Sequence, residues 1–210
     1  MQLAADELAV IRGERIVFSD VSFSVSEGEA LILTGPNGSG KTTLIRTIAG
    51  LIKPSAGELR LDAGDAECTI GQHCHYVGHR GAVKSSMTVL ENLAFWRSFL
   101  AKDSIDRLRG RDGAALDAFG LLELSPIPAG YLSDGQKRRL GLARLLLTRR
   151  RIWLLDEPYA SLDAASQGIL DAVIDRHLRT GGIAVIATHQ PIDVSSQREL
   201  RLGAAAVEAA

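Results

Sequence analysis

The sequence has no long hydrophobic run and almost no net charge. Apolar stretches such as 152–155 and 183–188 are far shorter than the roughly 18 residues that a membrane-spanning helix needs. A formal net charge of −1 provides no broad positive field of the kind that attracts nucleic acid. Residues 1–10 have no basic residue ahead of an apolar run, which argues against a secretory signal. We therefore expect a cytoplasmic protein with no nucleic-acid partner, which associates with a membrane only through another protein.

Cysteine is also scarce. The two cysteines lie in a segment that holds three of the five histidines: Cys68, His73, Cys74, His75 and His79. Their spacing forms no C-x-x-C pair and no C-x-x-C-H haem-attachment motif, so we do not interpret the segment as a metal or haem site. The alternation of residues around Cys74 instead predicts a β-strand over 74–78.

What is present is an ordinary globular composition arranged in alternating strands and helices. Hydrophobic residues make up 46% and charged residues 23% of the 210 residues, so we expect one packed domain. Apolar or alternating runs predict strands at 7–11, 21–25, 30–34, 57–61, 74–78, 152–155 and 183–187. Helical spacing of apolar residues predicts helices at 41–51, 88–100, 114–119, 136–147 and 164–178. Such alternation indicates an α/β fold with a largely parallel sheet covered on both faces.

The mostly helical stretch 84–149 interrupts this alternation and predicts an inserted helical lobe. The remaining core spans about 1–80 and 150–202. We expect a polar turn at 63–66 and a frayed alanine-rich tail at 203–210.

A glycine-rich motif of the form G-x-x-x-x-G-K-[ST] stands between a predicted strand and a predicted helix. It comprises Gly35, Pro36, Asn37, Gly38, Ser39, Gly40, Lys41 and Thr42, followed by Thr43. Glycines let backbone amides surround phosphate oxygens, and the helix presents its free N–H groups. Since a helix end contributes only about 0.3–1 kcal/mol toward an anion, Lys41 and a magnesium ion must also offset the charge of a triphosphate. We expect Lys41 to bridge the β- and γ-phosphates and Thr42 to ligate Mg²⁺.

The apolar strand at 152–155 ends in two carboxylates, Asp156 and Glu157. This is the form of a Walker B element. Because successive strand residues point to opposite sides, we expect Asp156 to face the magnesium ion and Glu157 to polarise the attacking water. A positioned base contributes roughly 10²–10⁴ in rate.

A third motif distinguishes this chain from other P-loop proteins such as kinases and GTPases. Leu132, Ser133, Asp134, Gly135 and Gln136 precede a predicted helix and resemble the LSGGQ signature of ATP-binding cassette (ABC) proteins. A hydroxyl and a backbone amide at a helix N-terminus make a second phosphate site. In that family the signature meets the P-loop of another subunit, so the resemblance implies a homodimer in the ATP-bound state.

Further residues extend the resemblance to ABC proteins over about 8–202. Ser161, Leu162 and Asp163 resemble the D-loop, and His189 after a strand resembles the switch histidine, which would contact the γ-phosphate. The resemblance implies a RecA-like core, an antiparallel β subdomain, an inserted helical subdomain, and an ATPase whose cofactors are ATP and Mg²⁺.

Three positions depart from the family pattern. His79 stands where most members have the Q-loop glutamine; an imidazole can still ligate Mg²⁺ or bond a water, but its charge varies near neutral pH. Asp134 replaces a glycine of the signature, and because a carboxylate repels polyphosphate we expect its side chain to point outward. Near Arg12 there is no aromatic residue to stack on adenine, so we expect weak base recognition.

Further residues narrow the resemblance. They are Gly78 with His79, then Glu91, Asn92, Leu93 and Phe95, and the run 153–158 ahead of 188–190. Together they resemble the CcmA-type ATP-binding subunits of haem exporters in cytochrome c maturation. This resemblance implies a partner, an integral-membrane permease of a cytochrome c maturation complex, and a position on the cytoplasmic face of the bacterial inner membrane. The segment 79–99 would be the coupling surface, because the Q-loop joins the nucleotide site to the helical lobe.

The sequence also leaves other functions open. The chain could serve a transporter for another substrate, act as a soluble ABC ATPase on ribosomes or DNA, or sense nucleotide without turnover. Two basic runs, 137–139 and 149–151, are interpreted as solvated faces because each is short and flanks a helix end.

Overall fold

The computed structural model describes residues 1–62, 68–79, 81–100 and 111–203. The predicted turn at 63–66 and nearly all of the predicted tail lie outside these residues. The strands are β1 (Gln2–Arg12), β2 (Arg15–Ser26), β3 (Ala30–Thr34), β4 (Ala56–Asp62), β5 (Cys74–Val77), β6 (Ile152–Asp156), β7 (Ile183–Ala187) and β8 (Gln197–Arg201). The helices are α1 (Lys41–Ile48), α2 (Ile70–His73), α3 (Val89–Leu100), α4 (Arg111–Ala118), α5 (Asp134–Ala143) and α6 (Ala164–Arg179).

A parallel sheet with the strand order β5-β6-β7-β3-β8 forms the centre of the molecule. Every residue of β6 and β7 is buried, which explains why both strands read as continuous apolar runs rather than as alternating ones. The predicted α/β class and parallel sheet are confirmed. All parallel strands place their carboxyl ends at one edge, where ligands bind in such folds.

A second, antiparallel sheet has the order β2-β1-β4. Its first two strands are longer than the predicted runs at 7–11 and 21–25. Register shifts interrupt the pairing of β1 with β2 between Ala5 and Ile11, so the alternation breaks there and only part of each strand is visible as a pattern.

Two hydrophobic cores lie on opposite faces of the parallel sheet. Along β6, Ile152 and Leu154 pack with α1 and the antiparallel sheet, whereas Trp153 and Leu155 pack with α6 and the helical segments. This division follows from the alternation of side chains along a strand. The sheet is therefore covered on both faces, and its carboxyl edge is left for a site.

Several predicted boundaries are wrong. Helix α1 ends at Ile48 rather than at Leu51, because Gly50 has φ +74° and leaves Leu51 64% exposed. Helix α5 ends at Ala143 and continues as a 3₁₀ turn over Arg144–Leu146. Strand β8 is absent from the predictions, because it is an edge strand of largely exposed polar residues with no apolar run.

Within the described ranges, no helix combines the length and apolar character needed to traverse a membrane.

Candidate active site

The loop between β3 and α1 has a backbone that requires glycine. Gly35 has φ +127°, and a Cβ there would lie 2.2 Å from the carbonyl oxygen of Leu202. Gly40 precedes α1 with φ +99°, and no side chain caps that helix. The first N–H groups of α1 are therefore available to an anion, at the end where the helix dipole is positive.

Lys41 supplies positive charge at this loop. Its ammonium donates to the carbonyl oxygens of Gly35 at 2.7 Å and Pro36 at 3.0 Å. The residue is buried, so its charge interacts with a phosphate more strongly than it would in bulk water.

The end of β6 carries the two acidic residues. Asp156 is 3% exposed and accepts a hydrogen bond from the Thr42 hydroxyl at 3.0 Å. Glu157 lies just beyond the strand with φ +49°, and its N–H donates to the carbonyl oxygen of Ala187 at 2.8 Å. Because this residue has left the extended conformation, strand alternation does not set its direction, and both carboxylates line one cavity.

That cavity has a volume of about 250 Å³ and brings together several of the predicted motifs. Its lining residues are Val17, Asn37, Gly38, Gly40, Lys41, Thr42, Thr43, His79, Asp156 and Glu157. Among the described residues, several predicted site residues do not line it: Gly35, Pro36, Ser39, His189 and the signature and D-loop residues.

Mg²⁺ prefers oxygen ligands, usually one or two from the protein with the rest from water and phosphate. The Thr42 hydroxyl and the Asp156 carboxylate are two such oxygens, held 3.0 Å apart at the cavity wall. These residues fit a magnesium ion. His79 lines the same cavity, exposed, as a nitrogen ligand of a kind less typical for Mg²⁺.

His189 connects the end of β7 to the phosphate-binding loop. Its Nε2 lies 2.9 Å from the Asn37 Oδ1 atom and 3.5 Å from the Glu157 Oε1 atom. The side chain is exposed. The structure thus places the predicted switch histidine between the loop and the predicted base.

The signature residues begin α5. The Ser133 hydroxyl accepts from the Gln136 N–H at 3.2 Å, and the Gln136 side chain accepts from the Ser133 N–H at 2.9 Å. This reciprocal pair is a capping box, which gives both residues a structural role as well. Leu132 is buried, whereas Asp134 is exposed in the first turn, where the helix dipole favours a negative charge.

The D-loop lies against the signature of the same chain. A Cβ on Gly135 would meet the carbonyl oxygen of Ser161 at 2.9 Å. Leu162 is buried, and Asp163 caps α6 by accepting from the Ser166 N–H at 2.8 Å. These hydrogen bonds from Ser166 lower the pKa of the Asp163 carboxyl, so the cap is charged at neutral pH.

Arg138 is a residue whose place the sequence interpretation missed. It belongs to the basic run 137–139, yet only 6% of it is exposed, so the interpretation as a solvated face is wrong at this position. Burial lowers the pKa of its guanidinium, and the charges of Asp156 and Glu157 oppose that shift. Helical spacing could have revealed it, since Arg138 shares a face with the buried Gly141.

The cysteine and histidine segment forms the predicted strand, β5. His75 is buried, and burial together with the charges of Arg144, Arg150 and His177 lowers its pKa to about 3. Among the described residues, no three His, Cys, Asp or Glu side chains are placed to hold a metal ion.

A phosphate-binding loop beside a strand that ends in two acids defines the class of P-loop nucleoside triphosphatases. The model of the ABC transporter family matches residues 18–160. The cytochrome c biogenesis ATP-binding export protein CcmA of Rhodopseudomonas palustris (strain HaA2) is 46% identical over 206 residues, which cover 98% of this chain and 100% of that protein. CcmA of Agrobacterium fabrum (strain C58) is 45% identical, with 99% of each chain covered.

Solved structures show the same fold. An ATP-binding subunit of an ABC transporter superposes with a TM-score of 0.78 at 23% identity, over 90% of this chain and 80% of that one. The ATP-binding cassette MJ0796, in a dimeric post-hydrolysis state bound to ADP and Pi, superposes with a TM-score of 0.75 at 24% identity, over 90% and 88% of the chains. The chain belongs to the ABC transporter family and, within it, to the CcmA family of ATPase subunits. The predicted fold class and family are confirmed.

Proposed function

We propose that this chain binds ATP with Mg²⁺ at the cavity beside α1 and hydrolyses it to power the haem-handling step of c-type cytochrome maturation. The observation that carries the proposal is the cavity itself, where Lys41, Thr42, Asp156 and Glu157 converge from two elements. The CcmA relatives are ATP-binding export proteins of cytochrome c biogenesis, which supports the assignment to that process.

Nucleotide binding falls to residues 35–43. The N–H groups at the start of α1 bond the phosphate oxygens, and Lys41 exchanges its carbonyl partners for the β- and γ-phosphates. Thr42 and Asp156 would hold Mg²⁺, with His79 near enough to contribute through its imidazole or a water. When bound, the ion neutralises charge that develops on the phosphate oxygens.

Glu157 orients and deprotonates the attacking water. Its carboxylate lines the cavity and lies 3.5 Å from the His189 imidazole. His189 bonds Asn37 of the loop, so it senses the γ-phosphate and the base together. Phosphoryl transfer to water needs two contributions from the protein. Lys41 stabilises the transferred phosphoryl group, and Glu157 positions the water.

Two copies of the chain close over ATP. The signature, 132–136, and the D-loop, 161–163, supply the second phosphate cradle in trans to the P-loop of the partner subunit. Two observations support this arrangement. Ser133 is exposed, and in the described part of the chain no signature residue lines the cavity.

An integral-membrane permease docks beside the Q-loop. Helix α3 presents Phe95 and the 68% exposed Phe99, whose rings stack at 6.4 Å. The Phe99 ring borders a cavity of about 760 Å³ that also reaches His79 and Trp96. An apolar surface next to the nucleotide site suits a partner that responds to hydrolysis. The chain would then sit at the cytoplasmic face of the bacterial inner membrane, held there by its partner.

The decisive experiment is ATP turnover by the permease complex after Glu157→Gln. We expect at least a 100-fold loss of kcat with ATP binding retained, because the amide can still bond water but cannot take its proton. Glu123→Gln, an exposed acid of the helical segment, is the matched control and should hydrolyse ATP normally. Wild-type turnover by the Glu157 variant would refute the assignment of the base.

A further inference from the structure

The guanidinium of Arg138 is enclosed by backbone carbonyl groups. Its nitrogen atoms donate to the carbonyl oxygens of Pro158 at 3.0 Å, Asp156 at 3.1 Å, Glu157 at 2.6 Å, Gly78 at 3.0 Å and His79 at 3.1 Å. An arginine side chain has five N–H donors, and here five carbonyl oxygens receive them. All five hydrogen-bond donors of the side chain are therefore used by backbone carbonyl groups of two segments.

These two segments carry candidate catalytic residues. Three of the carbonyl groups belong to the end of β6, where Asp156 and Glu157 lie. The other two follow β5 and belong to Gly78 and His79, at the Q-loop position. Arg138 itself lies one turn into α5, whose first residues are the signature. A single buried side chain therefore joins the signature helix, the Walker B end and the Q-loop.

Further contacts join α5 and its 3₁₀ extension to β5 and to the segment after it. A Cβ on Gly141 would lie 3.0 Å from the Gly81 Cα, so two backbones meet there directly. The Arg144 guanidinium donates to the carbonyl oxygen of Tyr76 at 2.8 Å. Arg138, Gly141 and Arg144 are spaced by three residues and form one stripe along the helix and its 3₁₀ extension. The position of α5 is thereby tied to that of the Q-loop.

We propose that Arg138 is a positioning residue that couples the signature helix to the catalytic edge, setting where Glu157 and His79 stand when α5 engages nucleotide on the partner subunit. The inference rests on the proposed function. Arg138 is not among the described residues that line the nucleotide cavity; it acts through the backbone of His79, Asp156 and Glu157, which do line it. A displacement of α5 moves the carbonyl groups at and beside Glu157 through their hydrogen bonds to Arg138. The Glu157 carboxylate therefore reaches its catalytic position only when the signature is bound to nucleotide.

Arginine suits this task and lysine does not. A planar guanidinium offers donors in fixed directions and can bond carbonyl groups on two sides at once. A lysine ammonium has only three donors at one point. Arg138→Lys should keep the charge and lose most of the geometry.

The test is steady-state hydrolysis by the purified complex of the chain with its permease. Arg138→Met should lower kcat at least tenfold while the KM for ATP changes less than threefold, because the phosphate-binding loop makes no contact with Arg138 among the bonds described. Arg138→Lys should fall between this variant and the wild type. Binding of a fluorescent ATP analogue should remain within threefold of the wild-type Kd for both.

Arg150→Met is the matched control. Arg150 also donates to backbone carbonyl groups of two segments, those of Gln72 and Leu100, but it precedes β6, at the edge of the parallel sheet opposite the catalytic edge. Its loss should lower the thermal midpoint with kcat kept within twofold of wild type. If Arg138→Met and Arg138→Lys lose only thermal stability, as Arg150→Met does, the role of Arg138 is structural and the inference is wrong. If Arg138→Met does not fold, Arg138→Lys carries the same comparison. A wild-type complex that hydrolyses no ATP would instead refute the proposed function.

Discussion

Glu157 shows that backbone strain occurs within the candidate site. It is a non-glycine residue at φ +49°, a conformation that costs about 1–3 kcal/mol and persists only where the surroundings enforce it. Its N–H bond to Ala187 and the bond from Arg138 to its carbonyl oxygen hold it there. The strained residue is the candidate base.

His177 supplies a pH dependence of stability. Its ring stacks on Trp153 with centroids 3.9 Å apart, and its Nε2 lies 3.1 Å from the carbonyl oxygen of Ile183. Burial lowers its pKa to about 4, against the hydrogen bonds to Ile183 and Arg151, which raise it. An unfolded histidine has a pKa near 6.5. Between these values the unfolded chain binds more protons, so this contribution to the free energy of unfolding is complete above about pH 6.5 and is lost as the pH falls toward 4.

We expect His177→Phe, which keeps an aromatic ring on Trp153, to remove this dependence. Between about pH 7 and about pH 5.5 it should lose about 1 kcal/mol less of its free energy of unfolding than the wild type, by the linkage of protonation to folding. Urea denaturation at the two pH values measures the difference. His75 titrates in both proteins and cancels. Equal losses in the two proteins would contradict the prediction.

At the scale of elements, the loop between β3 and α1 depends on glycine. We expect Gly35→Ala to weaken ATP binding at least 100-fold, because its Cβ would overlap the carbonyl oxygen beyond β8 and φ +127° is strained for alanine. Gly168→Ala in α6 is the control, since a Cβ there meets nothing within 4 Å. It should bind ATP normally and gain about 0.5–1 kcal/mol of stability from helix propensity. Calorimetric titration with ATP separates the two; equal affinities would show that Gly35 is not needed.

The more deeply an element is buried, the more clearly the sequence predicts it. Strands β6 and β7 lie in the middle of the sheet, so their apolar runs mark them in the sequence. Edge strand β8 has no such run, so the sequence does not predict it. The sequence predicts that α1 extends to Leu51, because Leu51 continues the apolar spacing, but the helix has already ended before Gly50.

At the scale of the molecule, one chain carries two candidate phosphate sites apart from each other, at the start of α1 and at the start of α5. We expect the Glu157→Gln chain, in the complex with its permease, to retain ATP in the presence of Mg²⁺ through gel filtration, two per pair of chains. The reason is that nucleotide closed between two subunits leaves slowly when it cannot be hydrolysed.

Gly135→Val in the same background should abolish this retention, because its side chain would collide with the carbonyl oxygen of Ser161 and displace the signature. Gly168→Ala again serves as the control and should retain ATP. Retention by single chains, or retention despite Gly135→Val, would speak against closure of two subunits over the nucleotide.

The sequence by itself determined the family and the α/β class, and it predicts the phosphate-binding loop and the acidic pair, because these depend on short contiguous motifs and on local periodicity. Only the tertiary structure decided that Asp156 accepts a hydrogen bond from Thr42 and that the His189 ring lies beside Asn37. It also decided that Arg138, one of three consecutive basic residues, is buried and donates to backbone carbonyl groups. Such contacts join residues distant along the chain. Their energies depend on how separate elements pack, and this packing cannot be predicted from a local sequence pattern.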